Sequence, residues 1–298
     1  MGKFTDAIMG LVVGDAVGVP FEFRKRDTFT ADDMTGYGTY GLPAGTWSDD
    51  SSMTLATIYS IADRGRVNTE AIMQSFWSWY YHAEFTPYGE VFDVGNTTRQ
   101  AIQRYATGFP TSACGGKTER DNGNGALMRI LPLAFYPGSL ADVITVASLT
   151  HNHRISNTAC ALYVAIARFL MTGMDAKRAI LEGFEKIERV MPIPDELCGI
   201  PYLFYKKRHE IKSTGYVVDT LEAALWCVAK STSYRECVLL AVNLGEDTDT
   251  VAAVAGGLAG ILYGIGGKKG IPEEWIEQIA KKDEIAALCE RFENKIMA

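Results

Sequence analysis

Apolar residues recur at three- and four-residue spacing from Phe4 through Ile8, Leu11, Val12 and Ala16, and again through Leu55, Ile58, Tyr59 and Ala62. A period of 3.6 residues brings such positions onto one helical face. The same rhythm predicts helices over residues 69–83, 96–105, 125–135, 140–149, 155–171, 175–187, 217–229, 235–243, 250–263 and 273–292. Few stretches alternate as a half-buried strand would. Ser139, Asp219 and Ser233 mark helix starts, where a short polar side chain accepts an orphan backbone N–H, and glycines close several ends. The pattern is that of an all-α protein.

Gly, Pro, Thr, Asp and Asn gather instead in residues 24–47, 84–95, 107–124 and 191–216, loops able to surround one cleft. No internal repeat and no low-complexity linker interrupts the chain. Its 298 residues, 47% hydrophobic, suffice for one large core, so one domain over 1–298 is expected.

The formal net charge of −7 argues against a surface that tracks phosphates, so extended DNA or RNA is not an expected partner. Six cysteines, at 114, 160, 198, 227, 237 and 289, lack the close pairing of a zinc or redox site and read as reduced core residues. The start, Met1-Gly2-Lys3-Phe4, has no signal-peptide pattern, and a cytoplasmic location is expected. The most apolar segment, residues 251–264, is short for a membrane span and begins beside Glu246, Asp247 and Asp249. A buried helix is expected there, and no membrane partner.

Two acidic segments change the picture. Ser48-Asp49-Asp50 offers a hydroxyl and two carboxylates just before an apolar helical pattern, and Asp247-Thr248-Asp249-Thr250 repeats that chemistry ahead of a run of small apolar residues. Either segment alone reads equally well as helix capping, since Ser, Thr and Asp favour helix N-termini. The setting of the second tips the balance, because unpaired carboxylates leading into a buried helix are costly. Divalent cations offset that repulsion, and sets made only of oxygen suit Mg²⁺, Mn²⁺ or Ca²⁺ better than zinc, with Mg²⁺ or Mn²⁺ expected. The four histidines form neither H-E-x-x-H nor an adjacent His-Asp pair, so the usual zinc hydrolase and helical phosphohydrolase patterns are missing.

With these segments in view, the chain resembles the ADP-ribosylglycohydrolase family over nearly its whole length. The ordered markers are Gly14-Asp15-Ala16-Val17-Gly18-Val19-Pro20-Phe21-Glu22, Ser48-Asp49-Asp50, Gly123-Asn124-Gly125-Ala126-Leu127-Met128-Arg129, Thr150-His151, Gly215 to Leu221, and Asp247-Thr248-Asp249-Thr250. The resemblance implies a compact, orthogonal all-α assembly with a dinuclear metal cleft. It implies Ser48, Asp49, Asp50, Asp247, Asp249 and Thr250 as ligands of two cations, with Ser48 standing where the family usually has threonine. Glu22, Asp49 and Asp249 are the implied catalytic acids. Asp93, Gly123, Asn124, Gly125, His151 and Tyr216 are the implied substrate contacts. Gly123-Asn124-Gly125 has no Walker lysine, and read alone it is an ordinary loop; glycine there lets backbone amides approach a diphosphate or ribose. The implied reaction releases ADP-ribose from a protein side chain such as arginine or from a small molecule. A metal-dependent nucleotide phosphohydrolase and a non-catalytic ADP-ribose binder are the alternatives.

Overall fold

A computed structural model of the chain describes residues 2–297. Its helices run in the order α1 (Lys3–Gly18), α2 (Asp49–Arg64), α3 (Thr69–His82), α4 (Asn96–Ala106), α5 (Thr111–Cys114), α6 (Pro132–Phe135) and α7 (Leu140–Ser148). They continue through α8 (Arg154–Met171), α9 (Ala176–Glu188), α10 (Val217–Lys230), α11 (Tyr234–Val242), α12 (Thr248–Tyr263), α13 (Glu273–Ile276) and α14 (Lys282–Phe292). No strand occurs among the described residues, only three isolated bridges, and the all-α expectation holds.

Helix α1 packs along α12 at the centre because Gly10, Gly14 and Gly18 face it at four-residue spacing. A methyl group on any of them would collide with the backbone of Gly256, Ala252 or Asp249. Bare backbone on both sides gives dense interhelical contact, favourable because interiors pack like organic crystals. Helix α1 with the turn that follows it, Lys3–Phe21, is long and apolar enough to cross a membrane by length and composition, but its most apolar window is 94% buried inside the protein. Helix α12 is likewise buried for nearly its whole length, as its composition implied. At the chain's two ends, Phe4 stacks on Phe292 with ring centroids 4.3 Å apart.

Four sequence expectations need correction. The helix expected over residues 125–135 is a succession of turns broken by Pro132, and only α6 follows. The long helix expected over residues 273–292 splits into α13 and α14. Trp47 Nε1 donates to the Ala280 carbonyl at 3.0 Å and Ala280 N–H donates to the Gly45 carbonyl, so a loop far off in sequence takes the groups a continuous helix would use. Asp219 lies inside the first turn of α10, whose cap position is Tyr216, and accepts from Thr214 Oγ1 at 2.7 Å. Among the cysteines, all free, Cys198 is exposed and the other five are buried.

Helix α2 also begins six residues ahead of its apolar repeat, at Asp49. Its polar positions are satisfied internally: Thr54, Thr57 and Ser60 each donate a hydroxyl to the carbonyl four residues back at 2.8 Å. Buried hydroxyls of this kind leave no apolar signature.

Candidate functional site

The fold aims two helix N-termini at one place. The last glycine of α1, Gly18, lies against the Asp249 backbone, and its carbonyl accepts from Thr248 Oγ1 at 2.8 Å, fixing where α12 starts. From the other side, Asp15 of α1 accepts the Ser48 N–H at 3.0 Å, the Ser51 N–H at 3.1 Å and the Ser51 hydroxyl at 2.6 Å, fixing the start of α2. Partial positive charge at both helix starts favours carboxylates there.

Those carboxylates converge. Asp15, Asp50 and Asp249 each offer an oxygen within 4.8 Å of the others, and so do Glu22, Asp93 and Asp249. Asp249 belongs to both groups. Asp50 Oδ2 accepts from Ser48 Oγ at 3.1 Å and Thr250 Oγ1 at 3.2 Å, tying the two acidic segments together across 200 residues.

Capping accounts for little of this. Ser48 does cap α2, its side chain accepting the Asp50 N–H at 3.3 Å. Asp247 holds the cap position of α12 without making a side-chain cap bond, and among the described residues Asp249 accepts only the adjacent Thr250 N–H, at 2.9 Å. Asp50 Oδ1, Asp247 Oδ1 and Asp249 Oδ2 are buried with no hydrogen-bond partner among the described residues. A buried carboxylate oxygen left bare is rare. Asp50 and Asp249 share one of the close acid groups and the Asp247 charge acts on both, so the bare oxygens belong to a hard, all-oxygen donor set that fits a divalent cation of the Mg²⁺ or Mn²⁺ kind.

The electrostatics agree. Burial, then neighbouring carboxylates, pushes Asp49, Asp50 and Asp249 well above the usual carboxylate range. Burial raises Asp247 and Asp93 as well, against hydrogen bonds that lower them. Glu22 is pushed up to about 9, first by burial and then by the Asp93 charge, against a lowering hydrogen bond from Tyr40. In the cation-free protein it therefore carries a proton at neutral pH.

Above the acids opens a cleft of 310 Å³, lined by Glu22, Asp49, Asp93, Gly123, Asn124, Gly125, His151, Asp247 and Thr250 among the expected residues. Ser48, Asp50 and Asp249 lie beneath its floor, buried. Asn124 Nδ2 donates to Asp247 Oδ2 at 2.8 Å and so links the glycine-flanked turn to the acids. Tyr216 stands apart: it does not line the cleft, and it pairs with Gly123 through the backbone. Asp93 and Phe23, both at the cleft, hold left-handed backbone at φ 58° and 62°. An apolar groove of 390 Å³ along α7, α8 and α9 has no acid or histidine in its lining.

Two residues at the site carry roles that their motifs do not disclose. Asp15, in the Gly14-to-Glu22 motif, is a carboxylate in the buried, otherwise apolar second half of α1, and that placement is itself the signal. Tyr40 donates to Glu22 Oε2 at 2.5 Å from a glycine-rich loop that carried no signal.

The family model described as ADP-ribosylglycohydrolase matches residues 1–298. The chain belongs to this family. The ADP-ribosylarginine hydrolase Tri1 of Serratia proteamaculans is 35% identical, over 98% of this chain and 79% of its own length. The ADP-ribosyl-[dinitrogen reductase] glycohydrolase of Rhodospirillum rubrum is 32% identical, over 93% of this chain and 90% of its own. Among solved structures, an ADP-ribosylglycohydrolase-related protein complex superposes with a TM-score of 0.83 at 32% identity, covering 99% of this chain and 98% of its own. In this ADP-ribosylglycohydrolase the acidic cleft lies between the two helix starts that the family's ordered motifs mark out.

Proposed function

We propose that this ADP-ribosylglycohydrolase releases ADP-ribose from an ADP-ribosylated acceptor, with an arginine side chain as the acceptor class, by hydrolysis of the glycosidic bond. Residues 1–298 act in this reading as one domain built around the cleft. The observation that carries it is the pair of acid groups sharing Asp249 at the cleft floor, with three buried oxygens that have no hydrogen-bond partner among the described residues. Ser48, Asp49, Asp50, Asp247, Asp249 and Thr250 would hold two divalent cations, Mg²⁺ or Mn²⁺. Such ions, once bound, orient the ribose hydroxyls and lower the pKa of a nearby water.

The chain's own groups do the rest. Glu22, held by Tyr40, gives a proton to the departing nitrogen as the glycosidic C–N bond breaks, and takes one back from the water that adds to the anomeric carbon. Asp49 and Asp249 stabilise positive charge developing at that carbon. Asp93 faces the cleft as an acceptor for a cationic side chain. Gly123, Asn124, Gly125 and His151 line the wall that takes the diphosphate and its riboses, and Tyr216 supports that wall through Gly123.

The test is incubation with ADP-ribosylated arginine, serine and small-molecule substrates, with Mg²⁺ or Mn²⁺, and mass identification of products. Free ADP-ribose with its diphosphate intact is expected, fastest from arginine. A cleaved diphosphate would make the chain a nucleotide phosphohydrolase, and saturable binding without product would make it an ADP-ribose binder.

A further inference from the structure

Arg129 is fully buried, and its Nε and Nη1 have no hydrogen-bond partner among the described residues. The positive charge faces the Phe76 ring, 4.6 Å from its centroid. Burial lowers the guanidinium only to about 10, so it stays charged at neutral pH. Burying such a charge without an acid is costly, and an apolar side chain of similar volume would fill the space more cheaply. What Arg129 contributes is seen at Nη2, which donates to the Val146 carbonyl at 3.2 Å and to Thr150 Oγ1 at 2.8 Å.

The consequence follows from counting protons. A guanidinium only donates, so the Thr150 oxygen accepts from it. Among the described residues, the remaining partner of Thr150 Oγ1 is His151 Nδ1, 2.8 Å away. Were Nδ1 protonated, two donors would meet one oxygen, and the Thr150 hydroxyl proton would have no acceptor at a fully buried position. A stranded buried donor costs more than a hydrogen bond gains. The Thr150 proton therefore goes to Nδ1, and the ring's own proton sits on Nε2.

We infer that Arg129 and Thr150 are positioning residues that hold His151 as the Nε2–H tautomer, so that a neutral N–H donor faces the cleft beside Gly123 and Gly125. Neither glycine has a side chain to cover the imidazole, and a Cβ at Gly125 would press into it. Burial, and then the Arg129 charge, push His151 down to about 3, so the ring stays neutral under ordinary conditions. A fixed neutral donor suits an accepting oxygen of a phosphate or a ribose, and repels a ligand N–H placed there. This inference rests on the proposed ADP-ribose cleft only for the identity of that oxygen's owner.

The tautomer is read by two-bond ¹H–¹⁵N spectra of the full-length protein labelled with ¹⁵N-histidine, the signal assigned with His151→Gln. The wild type should show a protonated Nε2 and a bare Nδ1, unchanged on mild acidification. Thr150→Val, which keeps shape and removes the hydroxyl, should populate Nδ1–H and weaken ADP-ribose binding by about tenfold in calorimetry. Thr150→Ser should restore both. Arg129→Met should also mix the tautomers; if it fails to fold, the Thr150 pair still decides. Equal weakening for ADP would assign the accepting oxygen to the part shared with ADP, whereas weakening for ADP-ribose alone would assign it to the terminal ribose. A wild-type Nδ1–H signal, or a Thr150→Val protein with unchanged tautomer and affinity, would overturn the inference. If no substrate yields ADP-ribose while the tautomer responds as stated, the functional reading fails and this inference stands.

Discussion

Asp249 joins both acid groups, and the one hydrogen bond it accepts among the described residues, from Thr250 N–H, leaves its second oxygen bare. Asparagine there keeps the size and removes a charge held among four neighbouring carboxylates. Asp249→Asn should therefore fold and, without cations, melt no lower than the wild type, because the repulsion is relieved. Its Mn²⁺ affinity should fall by about 100-fold or more, since even groups that merely support metal ligands cost roughly 10–100-fold. Calorimetry and thermal melts check both halves. Glu22→Gln should keep ADP-ribose affinity while losing most of its release rate, a split read by product binding beside single-turnover kinetics. Individual acids were legible because they sat beside helix starts in a run of small residues. Tyr40 was not, since its bond to Glu22 is made by tertiary approach of a loop whose sequence resembles any other.

Helices were legible wherever one apolar face carried the pattern, as in α8, α9 and α10. They were misread where the third dimension overrode it. The α13–α14 break depends on Gly45 and Trp47 capturing Ala280, which no local pattern discloses. Pro132, by contrast, was a readable stop within residues 125–135. The contact between α1 and α12 carries its own prediction. Gly18→Ala would drive a methyl group into the Asp249 backbone, where nothing flexible can yield. Overpacking of this kind costs about 1–3 kcal/mol, and here it would also displace a cation ligand. Lower denaturation midpoints together with weakened Mn²⁺ binding are expected, whereas Gly173→Ala, at an open turn, should leave the cation affinity unchanged.

For the whole molecule, the buried acids tie stability to pH. Asp15 is raised from an ordinary 3.8 to about 6 and Glu22 from 4.5 to about 9, in both cases chiefly by burial. The folded state thus holds protons that the unfolded chain has released, and stability is lost as pH rises through those values. The cation-free protein should melt progressively lower from about pH 5 to about pH 9, and saturating Mg²⁺ or Mn²⁺ should flatten that slope. Melting should be a single transition, as expected if residues 1–298 form one domain with Phe4 and Phe292 stacked. The most direct test of the central claim is an anomalous-scattering map from crystals soaked in Mn²⁺. Two peaks flanking Asp249, about 3.5–4 Å apart as a shared bridging oxygen requires, are the predicted result. No peak among these carboxylates, with Mn²⁺ bound elsewhere or not at all, would contradict the account.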